Sequence, residues 1–263
     1  MRKDFTAAKP GAPVDEAAFV ADYWTRVWQT EGDLSRAHRD LAGTDEFRVI
    51  DEHLRTLAPG AAIVDAGCGL GQWALFLRDR GMRVTAIDIS KPTIDRLAAL
   101  FPDAAFRHGD VRDTGLTDAS QDAVISWGVF EHFEEGPLRC LAESFRILRP
   151  GGLLLISVPY DNWRQSFSAQ RDTRVAAPPG PEGLRFYQWR FTRGELRTEI
   201  ARAGFAVRDI VPIHRRQGAL RFLQHSFGLD QQSRAARVLS AAIAAAAPAA
   251  AIAHMLLAVA RKP

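Results

Sequence analysis

The chain has 263 residues, of which 47% are hydrophobic and 25% are charged, and its formal net charge is +3. These values are ordinary for a globular protein, and two cysteines exclude a disulfide-rich scaffold. The arginines are scattered rather than clustered, so no nucleic-acid partner is expected. We therefore expect a globular protein of a reducing compartment, in this case a cytoplasmic one.

The N-terminal part of the sequence divides into two segments. Residues 1–14, which contain Lys, Pro, Gly and Ala, are typical of a flexible tail. Residues 15–57 have apolar residues at helical spacing and predict an N-terminal helical cap. The aromatic stripe of this cap includes Tyr23, Trp24 and Trp28. Such stripes usually pack into a core, and the alternative is that one of these rings lines a ligand pocket.

Residues 62–158 alternate short apolar runs with amphipathic helices. The runs are continuous rather than alternating, as burial on both faces of a sheet requires. This order predicts an α/β fold with a doubly wound, mostly parallel, seven-stranded Rossmann-like sheet. The first five strands are expected at residues 62–66, 83–88, 105–108, 123–126 and 153–158.

The C-terminal third is less regular. Residues 159–190 are polar, aromatic and rich in Pro and Gly, which predicts a lid loop. The sequence at 192–195 is a capping box that begins a helix. The last two strands are expected at 206–213 and 255–259. Between them, residues 214–253 predict a helical insertion before the last strand.

The segment from Val238 to Ala260 contains no Asp, Glu, Lys or Arg and is long enough to cross a bilayer. Its alanine-rich composition and the central Pro248 favour a buried helix followed by a core strand. Membrane association is therefore not expected, although this segment leaves it open as an alternative.

A glycine-rich turn joins the first core strand to the following helix. It reads Val64-Asp65-Ala66-Gly67-Cys68-Gly69-Leu70-Gly71. Glycines at this place allow the backbone to turn sharply and to approach a ligand closely. Asp88 ends the second core strand and Asp110 follows the third. The carboxyl ends of parallel strands share one edge of the sheet, where ligands of open α/β folds bind.

Asp65 distinguishes between two adenosine-containing cofactors. A carboxylate beside the glycine turn would repel the pyrophosphate of a dinucleotide, but it would attract the ammonium and sulfonium groups of S-adenosylmethionine. The Gly-x-Gly-x-Gly spacing also differs from the Gly-x-Gly-x-x-Gly of dinucleotide sites. Asp88 could accept hydrogen bonds from ribose hydroxyls, and Asp110 could meet an adenine amino group. The residues thus favour S-adenosyl-L-methionine over NAD.

These motifs together resemble class I S-adenosylmethionine-dependent methyltransferases, in particular the small-molecule enzymes of the ubiquinone-biosynthesis type. The resemblance covers residues 62–158 through VDAGCGLG, AIDIS, GDV, AVISWGVFEHF and RPGGLLLISVP, and more weakly FTRGELRTEIARAGF. It implies that Asp65, Gly67 and Gly69 surround the methionine part of the cofactor. It also implies contacts to the ribose, the adenine and the methionine end from Asp88, Ile89, Asp110, Val111 and Trp127.

We therefore expect methyl transfer to an O, N or C nucleophile of a small-molecule or amphiphilic acceptor, in a single domain over residues 15–263. A general base is needed only if the nucleophile must lose a proton, and His132, Glu131 and Tyr160 are candidates without an assigned catalytic role. No residue set has metal-ligand spacing, so no metal is expected. The alternatives are a nicotinamide-dependent oxidoreductase and a catalytically inactive, methyltransferase-like binding protein.

Overall fold

A computed structural model describes the chain over most of its length. The described residues are 1–7, 13, 15–29, 41–162 and 184–263. The predictions for the remainder of the N-terminal tail, of the helical cap and of the lid loop lie outside the described residues.

Two sheets contain the described strands. In chain order the strands are β1 (Arg2–Ala7), β2 (Ala62–Ala66), β3 (Arg83–Asp88), β4 (Ala105–His108), β5 (Gln121–Trp127), β6 (Leu148–Pro159), β7 (Leu184–Arg190), β8 (Ala206–Ile213) and β9 (Met255–Arg261). The large sheet has seven strands in the order β4-β3-β2-β5-β6-β9-β8, and β1 pairs with β7 in the small one. Strands β2 to β6 are parallel and β9 is antiparallel to both of its neighbours. The predicted mostly parallel, seven-stranded α/β fold is confirmed.

Helices cover both faces of the large sheet. They are α1 (Glu16–Gln29), α2 (Asp45–Leu54), α3 (Gln72–Arg78), α4 (Lys91–Leu100), α5 (Leu138–Ile147), α6 (Arg193–Arg202), α7 (Arg215–Phe227), α8 (Arg234–Ala246) and α9 (Ala249–Ile252), with a 3-10 turn at Phe130–His132. The predicted capping box is confirmed, because Thr192 accepts from the Glu195 backbone and Glu195 accepts from that of Thr192.

The residues of the central strands alternate between two hydrophobic clusters. Val64 and Val124 belong to one cluster, and the preceding Ile63 and following Ile125 belong to the other. Because successive side chains of a strand point to opposite faces, this alternation shows that both faces of the sheet are buried. The rigid sheet fixes the positions of the loops at the carboxyl ends of its strands.

The small sheet corrects two predictions. Residues 2–7 are a strand rather than a flexible tail, and residues 184–190 are a strand rather than part of a loop. The two strands pair antiparallel, and the Arg190 guanidinium donates to Asp4 at 2.6 Å. The pairing joins segments that are far apart in the chain, so neither segment shows it by itself.

The insertion between β8 and β9 is helical, as predicted, but α8 is not a buried helix. Val238 and Leu239 are 62% and 45% exposed, and the helix ends before Pro248. The strand after it is confirmed as β9. Of the described helices, none combines the length and the apolar character needed to cross a bilayer.

Candidate active site

A cavity of about 290 Å³ lies at the carboxyl ends of β2, β3 and β5. This volume is near the lower end of the range for small-molecule sites, about 300–1,000 Å³. The predicted cofactor residues all line this one cavity, namely Asp65, Gly67, Gly69, Asp88, Ile89, Asp110, Val111 and Trp127. Their convergence follows from the parallel strands, whose carboxyl ends meet at one edge.

The glycine turn after β2 is shaped for a close approach. Gly67 and Gly69 have φ angles of +80° and +49°, in the left-handed region that favours glycine. A β-carbon on Gly67 would lie 2.3 Å from a methyl group of Val129, and one on Gly69 would lie 2.9 Å from the Trp28 ring. Larger residues at these two positions would therefore collide with the opposite walls of the site.

Asp88 organises the turn from the end of β3. One of its carboxylate oxygens accepts from the Gly69 amide at 2.9 Å, and the other accepts from the Ser90 amide at 2.9 Å. Each oxygen has two lone pairs, so both can still accept hydrogen bonds from a ligand such as a ribose. Burial raises the pKa of Asp88, while these amide hydrogen bonds oppose the rise.

Asp65 is the buried carboxylate of the site that lacks a full set of partners. It is 2% exposed, and its Oδ2 atom has no hydrogen-bond partner. Burial, followed by the charge of Asp88, raises the pKa of Asp65 to about 7, although a backbone hydrogen bond at Ala74 lowers it. An unsatisfied carboxylate beside a second one favours a ligand that brings positive charge.

Asp110 lines the cavity but is already engaged by the protein. Its carboxylate accepts from Arg112 through Nη2 at 2.8 Å and through the backbone amide at 2.8 Å. Burial raises the pKa of Asp110, but the hydrogen bonds and charge of Arg112 lower it more, so the net direction is down. Asp110 is therefore ionised, with Arg112 competing for any ligand donor.

The aromatic wall opposite Asp65 was only partly anticipated. Trp24 and Trp28 of α1 line the cavity with their rings stacked at 5.1 Å, so the alternative of a ligand-pocket wall holds for these two residues. Trp127 lies 5.3 Å from Trp73, a cavity residue that the sequence analysis missed. The indole N–H groups of Trp28 and Trp127 are buried without partners and can donate to a ligand. Position next to the glycine motif is the signal that could have indicated Trp73.

His132 and Glu131 form a buried pair behind this wall. His132 lines the cavity, and its Nδ1 donates to the Tyr187 carbonyl at 2.7 Å. Its Nε2 lies 3.8 Å from Glu131 Oε1, which is too far for a hydrogen bond. Burial lowers the pKa of His132 to about 4 and raises the pKa of Glu131 to about 8. Both side chains are therefore neutral at pH 7.

Tyr160 is the candidate base that the structure removes from the site. Its side chain is 8% exposed and belongs to the hydrophobic core, and it is not among the residues that line the cavity. Strand β6 continues to Pro159, so Tyr160 packs beneath the sheet edge, where its amide donates to the His254 carbonyl. The described residues contain no group of three or more His, Cys, Asp and Glu side chains that could hold a metal ion.

Comparison with known proteins adds to this geometry. Residues 64–156 match the family described as "Methyltransferase domain". This part of the chain is a class I methyltransferase domain. The match begins inside β2 and ends inside β6, so it covers the strands and the glycine turn that surround the cavity.

Two curated relatives are similar in sequence. The "Probable S-adenosylmethionine-dependent methyltransferase" of Mycolicibacterium smegmatis is 33% identical over 63% of this chain and 60% of its own length. The "Malonyl-[acyl-carrier protein] O-methyltransferase" of Serratia marcescens is 39% identical over 38% of each. The chain therefore spans about 60% or less of these two relatives.

A solved structure shows the same fold at low identity. Geranyl diphosphate C-methyltransferase from Streptomyces coelicolor A3(2), in complex with S-adenosyl-L-homocysteine, aligns with a TM-score of 0.61 at 16% identity, over 97% of this chain and 100% of its own. The likeness supports the observed strand order, including the antiparallel last strand.

The residues of the cavity fit the donor of such enzymes. The unpartnered Oδ2 of Asp65 can accept from an ammonium group, and the glycine turn has no side chains to obstruct a ligand. Asp88 retains lone pairs for the two hydroxyls of a ribose. The unpartnered indole donors of Trp28 and Trp127 match a carboxylate or a ring nitrogen.

Proposed function

We propose that this protein transfers a methyl group from S-adenosyl-L-methionine to a nucleophile of a small-molecule acceptor. The donor supplies a methyl group already activated by a sulfonium. The protein's part is to bind and orient both reactants and to exclude water, for which proximity is the main contribution. Asp65, Gly67, Gly69 and Trp127 would hold the methionine end, and Asp88, Ile89, Asp110 and Val111 the adenosine end.

One observation carries this proposal: the unsatisfied oxygen of Asp65 in a buried site that also contains Asp88. In a poorly screened site, two carboxylates favour a cation and disfavour a pyrophosphate. A nicotinamide dinucleotide would have to place its phosphates over the glycine turn beside Asp65. The same geometry therefore argues against the oxidoreductase alternative.

The acceptor side would be formed by α1 and the small sheet. Trp24 packs edge-on against His132 at 5.0 Å, and Tyr187 of β7 lies 5.1 Å from the same ring. We propose that residues 15–263 act as one domain in which these elements enclose the acceptor. An aromatic wall suits a flat or amphiphilic molecule, which supports the narrower resemblance to enzymes of the ubiquinone-biosynthesis type as a proposal.

Calorimetry with the purified protein tests the donor. We expect S-adenosylmethionine and S-adenosylhomocysteine to bind and NAD not to bind. Asp65→Asn removes one charge-assisted hydrogen bond, which is worth about 1.5–3 kcal/mol, so the Kd should rise about 10- to 100-fold. The exposed Asp103→Asn makes the same chemical change outside the cavity and should leave the Kd unchanged.

The pH dependence of binding provides a second readout. The pKa of Asp65 is about 7, so the carboxylate form that attracts a cation becomes dominant as the pH rises through 7. The affinity for S-adenosylhomocysteine should therefore increase from pH 6 to pH 8 in the wild type and not in Asp65→Asn. Tight NAD binding with no affinity for either methyl-donor compound would contradict the proposal. Binding without methyl transfer to any acceptor would support the inactive alternative.

A further inference from the structure

We propose that His132 is the general base of the reaction, that it takes the proton of a hydroxyl acceptor on Nε2, and that Glu131 positions and stabilises the resulting imidazolium. This inference rests on the proposed function and names the chemical class of the acceptor: a compound whose reacting group is an O–H. It is carried by the arrangement of hydrogen-bond partners around one buried imidazole at the cavity wall.

The first step of the argument is the tautomer of His132. Its Nδ1 lies 2.7 Å from the Tyr187 carbonyl oxygen, which can only accept, so the ring proton of the neutral imidazole resides on Nδ1. Nε2 then carries a lone pair. Because His132 lines the same cavity as Asp65 and Trp127, that lone pair belongs to the site where donor and acceptor would meet.

The second step concerns the protonated ring. An imidazolium has two N–H donors, and the surroundings of His132 supply acceptors for both. The carbonyl of Tyr187 receives Nδ1–H, and the carbonyl of Gly128 and Glu131 Oε1 lie near the ring on its other side. Burial favours the neutral ring at rest, but these acceptors reduce the cost of a proton that arrives during the reaction.

The third step concerns Glu131, whose Oε2 is buried without a partner. Burial keeps this carboxyl protonated at pH 7, since its pKa is about 8, while the charge of Arg190 lowers it. Above pH 8 the ionised carboxylate faces Nε2 and favours the imidazolium. The other charged and titratable groups around the pair are Tyr187 and Arg190 of β7, Tyr23 of α1 and Arg221 of α7.

The proposed transfer balances in atoms and charge. The carbon–oxygen bond forms as the carbon–sulfur bond of the donor breaks, and the bonding pair stays on sulfur. The hydroxyl proton moves to His132 Nε2, so the positive charge lost by the sulfonium appears on the imidazolium. An attacked hydroxyl becomes a protonated ether, which is strongly acidic, so even an imidazole with a low pKa can accept its proton.

Nitrogen-15 NMR of the protein saturated with S-adenosylhomocysteine tests the base without any acceptor. His132→Asn identifies the signal. We expect Nδ1 to be protonated and Nε2 unprotonated from pH 6 to pH 9, with the Nε2 signal shifting around pH 8 as Glu131 ionises. Glu131→Gln should abolish that shift. A proton on Nε2, or an unchanged shift in Glu131→Gln, would overturn the proposal.

Kinetics with two probes adds a functional readout. 4-Nitrocatechol must lose a proton, whereas 4-nitrothiophenol is already a thiolate at pH 7. His132→Asn should lower the kcat ratio of catechol to thiol about 100-fold, in the range of general-base effects. Equal losses with both probes would indicate a merely structural role. Retained calorimetric binding of S-adenosylhomocysteine by His132→Asn separates failure of this inference from failure of the proposed function.

Discussion

Gly67 and Gly60 share a left-handed backbone conformation but differ in their surroundings. Their φ angles are +80° and +74°, yet a β-carbon would meet Val129 at 2.3 Å in one case and open space in the other. The pair therefore separates the two costs of losing a glycine, which are backbone strain and collision. Only the second cost bears on the shape of the cavity.

Gly60→Ala should lower the free energy of unfolding by about 1–2 kcal/mol, the cost of a left-handed alanine. Gly67→Ala should lose about 1–3 kcal/mol more, because it also overpacks the turn against Val129. Urea unfolding measures both. Adding Val129→Ala to Gly67→Ala should recover part of the extra loss, and a strictly additive double mutant would contradict the collision.

The residues of the site were predictable to different degrees. Asp65, Asp88 and Asp110 follow successive strands, so the rule that parallel strands end at one edge was sufficient to bring them together. The rule does not give the orientation of a side chain or its other partners. The engagement of Asp110 by Arg112 and the burial of Tyr160 depend on tertiary packing, which the linear pattern does not contain.

At the scale of elements, strands β1 and β7 hold the wall behind His132. Arg190 is 8% exposed and its Nε donates to Asp4 at 2.6 Å, while Gln188 donates to the same carboxylate at 2.9 Å. The exposed Lys3 pairs with Glu134 nearby at 2.7 Å. One strand thus contains a buried ion pair and a solvent-exposed one, which have different energetic weight.

Asp4→Ala should destabilise the protein by about 2–4 kcal/mol, because it leaves the buried Arg190 guanidinium without its carboxylate. Lys3→Ala should cost under about 1 kcal/mol, since exposed ion pairs contribute little. Thermal unfolding distinguishes the two variants. Equal, small effects would show that β1 does not stabilise β7 in the way the contacts indicate.

Local sequence patterns predicted the elements whose cause is local. The strand at 83–88, the capping box at Thr192 and the strand at 206–213 each follow from composition and neighbouring residues. The β1–β7 pair does not, since it depends on contacts between the two ends of a long sequence separation. The exposure of α8 was also missed, because an alanine-rich segment has no polar face to indicate which side contacts water.

For the whole molecule, two buried carboxyl groups control stability above neutral pH. The pKa values of Asp65 and Glu131 are raised to about 7 and 8, mainly by burial. Between pH 6.5 and 8.5 the folded protein holds protons that the unfolded chain has already lost, so stability falls as the pH rises. The lowered pKa of His132 acts only below pH 6.5 and does not oppose this trend.

The free energy of unfolding should therefore decrease by roughly 2 kcal/mol between pH 6.5 and pH 8.5, as integration of the two titrations gives. Asp65→Asn and Glu131→Gln should each reduce this slope. Urea titrations at several pH values measure it. A wild-type slope that both variants leave unchanged would show that these carboxyls are not the groups responsible.

A crystal structure of the protein grown with S-adenosylhomocysteine tests the central claim most directly. The account predicts the amino group of the ligand at Asp65 Oδ2, its ribose hydroxyls at Asp88 and its adenine beside Asp110 and Val111. A ligand bound in another cavity, or one whose amino group does not reach Asp65, would contradict the account.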